Sequence, residues 1–169
     1  MATHETSAAW RQYEPSTSPA LPGEAALPNG SAVLSMAVPH TLWAAARAGN
    51  AAELGRLLDG GAAIDERDHR GYAPLMLAAY AGHLEAVDLL LVRGADPNTT
   101  DLAGNTVLMG AAFKGHVAIV QRLLGAGADP ATTNHGGLDA RGFALAFGRP
   151  DVFSVLHQHT GRAEPRRAL

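Results

Sequence analysis

The chain has 169 residues, 47% of them hydrophobic, with a net charge of −3 and no cysteine. That length fits one compact domain with enough apolar material for a core. The composition excludes a disulfide framework and thiolate chemistry, and it argues against a dedicated nucleic-acid binder, which carries a basic face.

Residues 1–38 read as a disordered leader. Pro15, Pro19, Pro22 and Pro28 interrupt every window, and Ser, Thr and Gly fill the gaps, so neither helical nor strand periodicity survives. Two pieces stand out: Trp10 and Tyr13, placed as in a short docking motif, and the apolar run 32–38, suited to fold back onto the first part of the downstream domain. No Lys or Arg precedes Arg11 and no apolar core comes after it. A standard secretory signal is therefore not expected, and a cytoplasmic protein is. No run approaches the roughly 18 apolar residues of a membrane span.

The remaining chain, 39–159, repeats itself. Asp68 to Thr100 is succeeded by a copy, Asp101 to Thr133, displaced by 33 residues, with seventeen of the 33 positions identical. Such a period means stacked units rather than one globular core. Within the unit, Asp68 and Gly71 make a turn, and Pro74 opens a helix whose Leu75, Ala78 and Ala79 share a face. Gly82 ends it. Leu84, Val87, Leu90 and Leu91 form the stripe of a second helix. Two short helices cannot bury themselves alone, so a neighbouring unit must supply the missing layer.

A first unit at about 39–67 keeps the phase through Leu42, Ala45, Ala46, Gly49, Leu54 and Leu57, with Trp43 at the Met76 position sealing that end. A fourth unit, about 134–159, keeps it through Gly137, Ala144, Gly148, Val152 or Phe153, and Leu156. There Arg141 takes the slot of Leu75 and Leu108, so it must snorkel out or pair with Asp139 or Asp151. Gly142 comes next, at a cost of about 1 kcal/mol relative to Ala. Residues 160–169 read as a frayed basic tail.

The run Asp68-x-x-Gly71-x-Ala73-Pro74-Leu75-Met76-x-Ala78-Ala79-x-x-Gly82-His83, with Leu90-Leu91-x-x-Gly94-Ala95-Asp96, resembles the ankyrin repeat. The resemblance implies an all-α solenoid of about four helix-turn-helix repeats with short hairpin tips. The family's Thr-Pro-Leu-His becomes Ala73-Pro74-Leu75-Met76 and Thr106-Val107-Leu108-Met109, so the hydrogen bonds of its His are lost or replaced, and Met76 and Met109 read as gap-filling core. His83 and His116 are expected to hold the turn between helices. Leu-Met before Ala-Ala is similar to short free-standing bacterial ankyrin proteins. The single lysine against twelve arginines points the same way, to a GC-rich bacterial genome.

No catalytic constellation is present: every Ser but Ser154 lies in the leader, and the carboxylates are scattered singly. A non-enzyme without cofactor or metal is expected, with His157-x-His159 too sparse for a metal site. The resemblance implies non-catalytic binding of another protein through a concave face of hairpin tips and first-helix outer faces. Carried over, the tips contribute Arg67, His69, Arg70, Tyr72, Leu102, Asn105, His135 and Leu138. The helices contribute Arg47, Tyr80, Phe113, Lys114 and Phe147. None of these is expected to serve the fold, and Tyr80 and Phe113, one period apart, are expected to form an aromatic strip. The same resemblance implies a monomer in bacterial stress defence, with catalase or another stress enzyme as the partner. A secreted host-directed effector and a small-molecule or metal binder are the alternatives.

Overall fold

The computed structural model describes residues 41–161. Trp10, Tyr13, the apolar run 32–38 and most of the basic tail lie outside the described residues. Among the described residues there are eight helices: α1 (Leu42–Ala48), α2 (Ala51–Asp59), α3 (Pro74–Ala81), α4 (Leu84–Val92), α5 (Val107–Lys114), α6 (Val117–Gly125), α7 (Ala140–Ala146) and α8 (Pro150–Gly161). They pair as α1/α2, α3/α4, α5/α6 and α7/α8. The first helices pack in one row, α1 on α3 on α5 on α7, and the second helices in another, α2 on α4 on α6 on α8. The fold is all-helical, as the 33-residue period requires; the extended pairing among the described residues is one isolated bridge, Thr100 to Thr106.

Local chemistry sets each boundary. Thr41 Oγ1 accepts from the Ala44 N–H at the start of α1, and Asn50 Oδ1 accepts from Glu53 at the start of α2, both ordinary N-caps. Gly82 ends α3 at φ 87°, and its N–H reaches the Ala78 and Ala79 carbonyls. Gly49 and Gly115 do the same for α1 and α5. At α5 the Thr106 hydroxyl accepts from Met109 N, while Met109 Sδ accepts from Thr106 N at 3.4 Å. This is a capping box with sulfur in place of a carboxylate. Met109 therefore both fills the core and closes the start of its own helix; Met76 and Met109 are fully buried.

The core runs between the two rows. Leu90, Leu123 and Leu156 form one solvent-free column, and Leu54, Val87 and Val120 another. In the fourth unit Val152, not Phe153, is the buried residue; Phe153 continues the Val87/Val120 column but is half-buried. Among the described residues no helix comes after α8. Arg141 is half-exposed and pairs with Asp139, Nη2 to Oδ2 at 3.2 Å, so the charge in a leucine slot is resolved by the N-cap residue of its own helix. Helix α8 continues two residues past the expected end at 159.

Candidate functional site

The hairpin tips are built on one repeated turn. Asp68 Oδ1 accepts from the N–H groups of Arg70 and Tyr72, both at 2.9 Å. Asp101 does the same for Ala103 and Asn105, and Asn134 for Gly136 and Leu138. Gly71, Gly104 and Gly137 complete the turns at positive φ. The tips then stack: a Cβ on Gly71 would lie 3.0 Å from Leu102 Cγ, and one on Gly104 would lie 2.9 Å from His135 Cδ2. His135 N donates to Ala103 O at 3.0 Å. Arg67, His69 and Arg70 are exposed on the first of these tips, and Leu102, 72% exposed, caps the second.

Beyond the tips, the first helices carry a continuous aromatic column. Tyr80 and Phe113 stack at 6.0 Å with rings 12° apart. Phe113 meets Phe147 edge-on at 4.4 Å, and Phe147 stacks on Phe143. Lys114 Nζ lies over the Tyr80 ring at 4.6 Å and over Phe113 at 5.7 Å, within cation–π reach. Arg47, exposed on α1, occupies the position one unit before Tyr80.

Three of the expected contact residues serve the fold. Asn105 is 1% exposed: its Nδ2 donates to Asp101 Oδ2, and its Oδ1 accepts from Asn134 Nδ2 of the next unit. A buried amide so engaged ties two turns together and faces no partner. Tyr72, 8% exposed, is buried in the equivalent slot, and Tyr80 is 4% exposed within the aromatic column. The expectation that none of the contact residues is needed by the fold fails at these three. Phe113, Lys114, Leu138 and Phe147 are half-buried; Arg47, Arg67, His69, Arg70, Leu102 and His135 are exposed.

The two turn histidines also act differently from expectation. Each is the N-cap residue of its helix, but neither side chain makes a capping hydrogen bond there. His83 Nε2 donates to Arg47 O at 3.0 Å, and His116 Nε2 to Tyr80 O at 3.3 Å. Each thus satisfies a free carbonyl at the end of the previous unit's first helix. Arg149 takes the same place in the fourth unit, its Nε donating to Phe113 O at 3.0 Å. The preceding glycines leave room: a Cβ on Gly49 would lie 2.5 Å from the His83 ring, and one on Gly82 would lie 2.8 Å from the His116 ring. The recurrence of Gly-His at 82–83 and 115–116 is the signal in the sequence, but it does not reveal that the imidazole reaches backwards. Burial lowers the His116 pKa; the Tyr80 carbonyl opposes this, and Lys114, Arg149 and His83 add to it.

Among the described residues no group of three or more His, Cys, Asp or Glu is placed to hold a metal ion, and the His157 ring stacks on Phe153. No described helix is long and apolar enough to cross a membrane. The family model for ankyrin repeats, in three copies, matches residues 41–134. No curated protein matches the chain.

Proposed function

We infer the function from a plain premise: this chain belongs to the ankyrin-repeat family, whose repeats are generally protein–protein interaction modules. On that premise we assign a non-catalytic binding role to the surface made by the tips and the outer ends of the first helices. Its contact residues are Arg47, Arg67, His69, Arg70, Leu102, Phe113, Lys114, His135, Leu138 and Phe147, with Tyr80 as the base on which Phe113 rests.

The observation that carries this reading is the aromatic column. A stacked ladder of rings along the first helices, with Phe113 and Phe147 half-buried on the buried Tyr80 and Phe143, gives a rigid apolar surface at low entropy cost. It is flanked by Arg and Lys, and aromatics and Arg are the residue types enriched at binding hot spots. The leucine columns between the rows already supply the core.

The protein acts as a cytoplasmic monomer in this reading, and catalase and other stress enzymes are the first partners to test. A photo-crosslinking phenylalanine analogue at position 113 is expected to trap a protein partner in the cells that make this chain. The same analogue at Val92, 84% exposed on the second-helix side, is the control. Cross-links from position 92 with none from position 113 would move the site to the other side of the stack.

A further inference from the structure

The charges divide between the two sides of the stack. On the second-helix side Arg56 pairs with Glu53 of the preceding turn. Arg93 reaches Asp59 at 2.7 Å and Arg122 reaches Asp88 at 3.3 Å, each bridging to the previous unit. These arginines are matched one to one by carboxylates. On the side of the tips and aromatic column the pattern differs. Arg67, Arg70, Lys114 and Arg149 have no ion pair among the described residues. Of the carboxylates nearest them in the chain, Asp68 and Asp101 accept backbone N–H groups in the turns, whereas Glu66, beside Arg67, and Asp151, beside Arg149, are exposed.

We propose that this surface takes an acidic polypeptide segment: an extended run of Asp and Glu interrupted by one aromatic or aliphatic anchor. The proposal rests on the binding surface assigned above and adds the chemistry of its occupant. The cations bracket the rings. Arg67 and Arg70 sit on a tip, before the first helices begin. Lys114 lies over Tyr80 and Phe113 at the far end of those helices, and Arg149 is held on the Phe113 carbonyl next to them. An eight-residue helix such as α5 measures about 12 Å at 1.5 Å per residue. An extended chain covers that length in about four residues. A peptide with carboxylates about four residues apart and an apolar side chain between them therefore matches the surface in spacing and in charge. Arg takes a carboxylate through two parallel N–H donors, which fixes orientation as well as attraction. Nucleic acid is the less suitable polyanion, because the whole chain is net negative at −3 and a phosphate track calls for a continuous basic stripe.

The test uses the full chain and three fluorescent probes of equal length. These are a Glu-rich peptide with one central Phe, the same peptide with Lys in place of Glu, and a single-stranded oligothymidylate. Anisotropy titration is expected to show saturable binding of the Glu peptide, weakening as salt rises, and at least tenfold weaker binding of the other two. Reversing Arg67→Glu and Arg70→Glu together is expected to weaken the Glu peptide at least tenfold, with helical circular dichroism retained because both side chains are exposed. Lys114→Glu, on a different element, should act in the same direction. Reversing Arg56→Glu and Arg93→Glu on the other side should change affinity less than twofold. Equal binding of the Lys peptide, tighter binding of the oligonucleotide, or indifference to the tip and Lys114 reversals would each overturn the proposal. Should the Glu peptide fail while position 113 still cross-links a partner, the charge assignment falls and the surface stands. Failure of both removes the surface itself.

Discussion

At the residue scale, Gly82 and His116 show how one unit is joined to the next. Gly82 ends α3 at a φ of 87°, a value that disfavours other residues, and its missing Cβ admits His116 from the next unit. His116 then closes a carbonyl that the helix end leaves open. The imidazole must be neutral at one nitrogen and a donor at the other, and its site favours that neutral form: burial first, then Lys114, Arg149 and His83, lower its pKa against the opposing Tyr80 carbonyl. That direction sets the sign of the pH effect. The folded pKa lies below the unfolded value, so the unfolded chain binds more protons between the two. The stability His116 contributes is complete above the unfolded pKa of about 6.5 and is lost as pH falls through the folded pKa. His116→Gln keeps an N–H donor for Tyr80 O and removes the titration. Urea midpoints at pH 8, 6.5 and 5 should therefore fall less steeply with acid in this variant than in the parent. Parallel declines would show that His116 titrates alike in both states.

At the element scale, the 33-residue period made the helices legible, because it fixed which residues share a column. Every helix pair agrees with that alignment, including the buried Leu90/Leu123/Leu156 column. What a column does not disclose is what faces it across the repeat interface. Asn105, Tyr72 and Leu138 share one slot by period, yet Asn105 is locked between Asp101 and Asn134 while Leu138 is half-buried. The partner of Asn105 is 29 residues away in the next turn, a contact that neither turn chemistry nor helix periodicity encodes. For Tyr80 the period does disclose the stacking on Phe113 of the following unit, but not that Lys114 also lies over the ring or that the ring is buried to 4% exposure. The leucine column supports a sharper expectation. Leu90 has no solvent exposure, and α4 packs on α2, α3 and α6, so truncation leaves a cavity that three helices cannot easily close. Leu90→Ala should lower unfolding free energy by about 2–5 kcal/mol, read as a shift in denaturation midpoint. A loss under about 0.5 kcal/mol, the range of a surface change, would place this side chain outside the core.

At the scale of the whole molecule, stability is a sum of units and of the interfaces between them. The second and third units have neighbours on both sides. Each contributes to a chain of bonds that repeats with the period: His83 to Arg47 and His116 to Tyr80 at the helix ends, and Asp96 N to Asp65 and Asp129 N to Asn98 in the loops. Residues 71–80 are buried without interruption, as are 105–112. The fourth unit holds less: α7 has three buried residues, Ala140, Phe143 and Ala144, with half-exposed Arg141 where Leu75 and Leu108 stand, and a glycine inside the helix. Its N-cap is sound, since Asp139 accepts from Gly142 N at 2.7 Å, but a cap adds only about 1 kcal/mol. Opening α7 and α8 breaks one inter-unit interface, whereas opening α5 and α6 breaks two. Amide exchange should therefore be slowest across 68–133 and faster across both 41–67 and 134–159, because local opening depends on the contacts that must be broken. Mass-resolved hydrogen exchange on the full chain gives the comparison directly. Protection across 134–159 equal to that across 68–133 would mean that Phe143 and the Arg149 bond to Phe113 compensate fully for Arg141 and Gly142, and that the stack opens as a single unit.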